Sequence, residues 1–204
     1  KGFIYRFRSD LRLDYLQDPN GNRVTCIYNK DNQLIQLMHS NGLSIHLEYN
    51  MEGRISKLID HVGRIISYEY STDGNHLLMV NYPTGEVITY TYSLGLGEAS
   101  DHRLTSITFP DNTHIYYAYD SEGRLVSRSE DNGVGRINYS YDVNGTTYKI
   151  DTDGGVTSVR VNDRGQPIAL VNPLGSVTRY EYDMNNNLIK VIGPSNHTYT
   201  YNYN

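Results

Sequence analysis

The side chains that could carry chemistry are few and scattered. Seven histidines stand at His39, His46, His61, His76, His102, His114 and His197. No two lie at metal-ligand spacing with a carboxylate partner, and no H-E-x-x-H occurs, so they read as surface or cross-strand residues. Asp151-Thr-Asp-Gly-Gly155 has the opening of an oxygen-rich calcium loop but lacks the later acidic ligand. Asp and Gly are ordinary turn residues, and a turn is the reading preferred there. Asp101-His102 beside several serines would suit a hydrolase, yet no nucleophile can be assigned to the pair. Cys26 is the single cysteine, which excludes an internal disulfide and reads as a small buried hydrophobe on a strand. With no P-loop, dinucleotide fingerprint or G-x-S-x-G elbow, no catalytic residue, metal site or cofactor is expected.

Tyrosine is the remaining candidate. It occurs 20 times, against three Phe and no Trp. Tyr and Asn together suit sugars, because an aromatic face stacks on C–H groups and amides read hydroxyls. The competing reading, which is preferred, is that the rings pack the sheet.

Spacing shows what positions them. The second aromatic of each aromatic-x-aromatic pair serves as an anchor, at Phe7, Tyr28, Tyr49, Tyr70, Tyr92, Tyr119, Tyr141, Val161 (the one aliphatic substitute), Tyr182 and Tyr203. Successive anchors lie about 21 residues apart, apart from one longer step that holds a Gly- and Ser-rich insertion at Ser93 to Asp101. Four positions after most anchors comes Asn32, Gly53, Gly74, Gly123, Gly145, Gly165 or Asn186, residues that tolerate positive φ. A second turn residue precedes each anchor by about seven positions, at Gly21, Gly42, Gly63, Gly85, Asn112, Gly135, Gly155, Gly175 and Asn196. Each repeat is therefore turn, strand, turn, strand. Alternation places Tyr180 and Tyr182 on one face, with Arg179 and Glu181 on the other. The expected hydroxyl partners are water or a neighbouring backbone group. The fold class is all-β, with tandem antiparallel hairpins of about 21 residues over 1–204, nine to ten repeats in one array.

Charge and composition agree. The formal net charge is −5 with signs interspersed, so no nucleic-acid footprint exists. No apolar run approaches a membrane span. Asn138, Asn144 and Asn196 open N-x-S/T triplets, which become glycan acceptors in a eukaryotic secretory pathway.

The motif Tyr-x-Tyr-Asp-x-x-Gly-Arg-Leu, complete in Tyr117 to Leu125, resembles the YD or Rhs repeat. Leu47 to Ile55 and Tyr180 to Leu188 are close copies, and Asp18-Pro-Asn-Gly21 and Asn172-Pro-Leu-Gly175 resemble the family's D/N-P-x-G turns. The resemblance implies a curved sheet that spirals into a hollow shell. Such a shell encloses a toxic domain in bacterial Rhs proteins and in the C components of insecticidal toxin complexes, and forms part of an extracellular adhesion protein in teneurins. It also implies an association with carbohydrate binding. Self-cleavage in toxin-bearing members needs two closely spaced D-P-x-G motifs. Asp18 to Gly21 has no such companion and the later copy begins with Asn172, so autoproteolysis is not carried over.

The leading expectation is a non-catalytic wall segment of a secreted or cell-surface shell, cut from a longer array. Its partners would be neighbouring repeats or chains at open sheet edges, and an enclosed cargo domain. The alternative is a free-standing carbohydrate-binding or adhesion module with glycans as partners.

Overall fold

The computed structural model describes residues 2–95 and 101–203. Within them the chain forms antiparallel β-strands joined by tight turns, with one short 3₁₀ segment and no α-helix. Two compact units are distinguished, residues 1–91 with 108–112, and residues 92–107 with 113–204.

The first unit contains β1 (Ile4–Phe7), β2 (Leu13–Gln17), β3 (Arg23–Tyr28), β4 (Leu34–His39), β5 (Ser44–Tyr49), β6 (Ile55–Ile59), β7 (Ile65–Tyr70), β8 (Leu77–Asn81) and all but the last residue of β9 (Val87–Tyr92). Each strand pairs with its successor in sequence. The second unit continues with β10 (Leu104–Thr108, its last residue grouped with the first unit), β11 (His114–Tyr119), β12 (Leu125–Glu130), β13 (Ile137–Tyr141), β14 (Thr146–Ile150), β15 (Val156–Val161), β16 (Pro167–Val171), β17 (Val177–Tyr182), β18 (Leu188–Ile192) and β19 (Thr198–Thr200). The 3₁₀ turn Asp131–Gly133 lies between β12 and β13.

One five-residue turn recurs. In Asp18 to Asn22 the first N–H donates to the fifth carbonyl at 2.9 Å, and the fourth N–H donates to the first carbonyl at 3.1 Å. The fourth residue takes positive φ, here Gly21 at 93°. This is the geometry of a type I turn closed by a left-handed residue, so Gly or Asn is required there. All of the Gly and Asn residues expected four positions after an anchor have positive φ. One correction concerns the turn before β15. Gly154, at φ 80°, takes the left-handed position, and Gly155 follows as the closing residue.

Most turns that follow an anchor add a register shift at the anchor, as between Glu48 and Tyr49 and between Ala118 and Tyr119. The D/N-P-x-G turns do not, since Gln17 to Arg23 and Val171 to Val177 pair without a shift. The two turn types thus alternate over β1 to β8 and again over β15 to β18. Where an anchor carries this bulge it strengthens the local twist, whereas Tyr141 pairs with Thr147 without one.

The core is a stripe along one face. Leu47, Leu58 and Ile66 stand opposite one another across β5, β6 and β7, followed by Tyr68, Val80 and Ile88 across β7, β8 and β9. The other face carries Glu48 opposite Lys57, joined by a 3.0 Å ion pair. Most of the stripe is only half-buried, and Val80 is the one hydrophobic residue with as little as 5% exposure among those described. Stability is then spread over many pairwise rungs instead of being concentrated in a thick interior.

Candidate functional site

The motif is held by a dense set of hydrogen bonds, and Tyr119 to Leu125 shows its parts. Oδ1 of Asp120 accepts the N–H groups of Glu122 (3.0 Å) and Arg124 (2.9 Å), while Oδ2 accepts Nε of Arg124 at 2.8 Å. Gly123, buried and at φ 74°, gives its N–H to the Asp120 carbonyl. The Arg124 guanidinium then lies 4.7 Å above the centre of the Tyr141 ring in the next repeat.

The anchor tyrosine completes the unit. Its hydroxyl donates back to the carbonyl of the Leu or Ile that closed the preceding motif. Tyr28 donates to Leu13 at 2.9 Å, Tyr49 to Leu34 at 2.7 Å and Tyr70 to Ile55 at 2.8 Å. Tyr119 bonds Leu104 at 2.9 Å, Tyr141 bonds Leu125 at 2.8 Å and Tyr203 bonds Leu188 at 2.7 Å. Phenylalanine could pack the same surface but could not make this bond, which explains the choice of Tyr at these six anchors. Tyr182, at the end of β17, makes no such hydroxyl hydrogen bond among the described residues.

The same cap serves other turns. Asp18, Asn29, Asp60, Asp142, Asn162, Asn172 and Asp183 each use Oδ1 to accept N–H groups two and four residues on. The carboxylates are held below their ordinary range by these bonds. For Asp18 and Asp183 the leading cause is the side-chain amide of Asn22 and Asn187, and for Asp120 and Asp142 the N–H of Arg124 and Thr146. At Asp60 desolvation is largest and opposes the shift, but the bonds from Arg64 and Val62 outweigh it. Asp73, bonded first by the Ser71 hydroxyl and then by Asn75, is lowered to about 2.

The remaining candidates are dispersed. Oδ1 of Asp151 accepts the Gly155 N–H at 2.7 Å, so the acidic triplet closes its own turn. Among the described residues no group of three or more His, Cys, Asp or Glu could hold a metal. Cys26 is half-buried on β3, and desolvation pushes its thiol up. His102 lies at φ 64° and gives its N–H to the Ser93 carbonyl, while residues 96–100 of the insertion lie outside the described residues. Asn144 and Asn196 are exposed turn residues, and Asn138 sits on β13, where its Oδ1 accepts Nε of Arg136 at 3.1 Å. His76 is buried at 5% exposure in a turn one residue longer than the recurring five-residue turn, its N–H bonded to Ser71 Oγ.

One cluster escaped sequence reasoning. Asp131 accepts the His114 N–H (2.9 Å), approaches His114 Nδ1 at 3.0 Å and accepts the Tyr116 hydroxyl at 3.3 Å. The signal lay in Asp131 to Gly135, a return turn longer than its equivalents, which carries Asp131 back to the start of β11.

Hairpins repeated at this spacing, with most motifs clamped to the one before by a tyrosine rung, define an all-β repeat protein. The teneurin YD-shell model matches residues 4–162 and the RHS repeat model residues 161–198. The chain belongs to the teneurin YD-shell family. It is 30% identical over 115 residues to the probable deoxyribonuclease RhsB of Dickeya dadantii (strain 3937), covering 56% of this chain and 8% of that protein. Its fold is that of a segment in the TcdB2-TccC3-Cdc42 crystal structure, with TM-score 0.59, 16% identity and coverage of 93% of this chain and 12% of that one. The TcdB2-TccC3 structure gives TM-score 0.58 at 15% identity, with the same coverage. The chain thus spans about a tenth of the length of each of these three proteins.

Proposed function

We propose that this chain is a non-catalytic wall segment of a secreted or cell-surface YD/Rhs shell, a single array of about nine to ten repeats within a longer one. The observation that carries the reading is the commitment of the motif side chains. The turn carboxylate closes its own hairpin, while the tyrosine hydroxyl and, in two copies, the motif arginine join one repeat to the next, which is what a wall requires. The small share of its relatives that the chain covers points the same way. The partners are further repeats on the open edges and a cargo enclosed by the complete shell. Exposed side chains on β1, among them Ile4, Tyr5 and Phe7, fit such a neighbour.

The intact mass of the native gene product tests the reading. A mass several times 23.3 kDa is expected. A secreted product of 23.3 kDa, with or without glycans, would overturn it. In a eukaryotic secretory host, Asn144 and Asn196 are the proposed acceptors, since both stand on exposed turns. Glycopeptide mapping that finds both bare after such expression would remove them.

A further inference from the structure

In some repeats a motif arginine covers the anchor ring of the next repeat, Arg54 at 5.7 Å from the Tyr70 ring centre and Arg124 at 4.7 Å from Tyr141. The equivalent residue before Tyr182 is Gln166, sixteen positions ahead as Arg54 is of Tyr70. Its amide turns away to the Asn186 carbonyl at 3.2 Å. Among the described residues no cation lies over Tyr182. Pro167 replaces the motif Leu here, and no hydroxyl rung forms to it.

What is left is an open groove of about 580 Å³ lined by Gln166, Tyr180, Tyr182, Asp163, Glu181 and Asp183. Three of these are carboxylates. Glu181 projects to the opposite strand face, where it meets Lys190 at 3.1 Å, and Asp183 uses both carboxylate oxygens within its own turn, which leaves Asp163 as the carboxylate beside the ring. The one cation in the lining, Arg164, is tied to Asn186 Oδ1 at 2.6 Å. Gln33 makes the same replacement before Tyr49, but there the tyrosine keeps its rung to Leu34.

We propose that this groove receives an arginine side chain of a partner polypeptide, the guanidinium stacking on Tyr182 where sibling repeats supply an arginine of their own. The planar cation suits the open ring face and the Asp163 carboxylate in the groove lining. Lysine, with a compact and strongly hydrated ammonium, fits less well.

The test is a titration of the isotopically labelled protein with N-acetyl-arginine-methylamide, followed by amide chemical shifts. Saturable shifts confined to residues 162–166 and 180–184 are expected, with roughly fivefold weaker binding of the lysine analogue. Gln166→Arg, which restores the sibling sequence and is expected to fold, should abolish the response by filling the seat from within. Tyr182→Leu should abolish it as well. Shifts spread over the whole surface, equal binding of the two analogues, or an unchanged response in folded Gln166→Arg would each overturn the proposal.

Discussion

At the scale of single residues, two positions make the account quantitative. The hydroxyl of Tyr70 donates to the Ile55 carbonyl from a half-buried position, so Tyr70→Phe removes one hydrogen bond and little packing. A loss of about 1 kcal/mol in unfolding free energy is expected from urea titration. No change would mean that the hydroxyl serves something other than the rung. Leu11 stands where Asn32 and Gly53 occur in later repeats, at φ 64° and 84% exposed. A side chain in that conformation costs about 1–2 kcal/mol, partly offset by the extra freedom of an unfolded glycine. Leu11→Gly should therefore raise stability by roughly 0.5–1 kcal/mol in the same titration. A destabilised variant would show that Leu11 has packing the strain argument ignores.

At the scale of the element, the hairpin turn is the unit, and its carboxylate makes it sensitive to acid. Asp18, Asp60, Asp120, Asp142 and Asp183 have their pKa lowered in the fold. A lowered folded pKa means that the stabilisation is complete above the ordinary value of 3.8 and is lost as pH falls through the folded value. The thermal midpoint should thus hold level from neutral pH to near 4, then drop steadily towards the Asp73 value of about 2. A midpoint unchanged down to pH 2 would contradict the role given to these caps. Replacing Asp120 by Asn should soften the dependence, since Asn caps the equivalent turn from position 162 without a charge.

Most of this element was legible in the sequence, because a left-handed turn residue restricts composition so strongly. Asn32, Gly123 and Asn186 could be placed from spacing alone. Gly155 could not, since two adjacent glycines offer the same freedom and only the hydrogen bond to Asp151 decides which closes the turn. The alternation of tyrosines was equally plain, but not the target of their hydroxyls. A partner fifteen residues back depends on how one repeat lies against another, which periodicity does not contain. The Asp131 cluster with His114 was hidden for the same reason. The groove at Tyr182 was visible only as a weak copy of the motif, at Val161 and at Gln166-Pro167.

At the scale of the whole molecule, interactions that reach only the adjacent repeat imply stability that is local and additive. Substituting Tyr70 should speed amide exchange in β6 and β7 well before β17 and β18 respond. Uniform acceleration along the chain would instead indicate a single cooperative block. The same nearest-neighbour construction underlies the functional reading, because a wall can be extended by one hairpin after another without new chemistry.

The measurement that bears most directly on that reading is electron cryo-microscopy of the native gene product. The account predicts a hollow particle in which residues 4–203 form part of a continuous β-wall, with β1 and β19 each hydrogen-bonded to a neighbouring strand and the lumen on one side. A map in which this segment stands free of any enclosure, with β1 and β19 open to solvent, would contradict it.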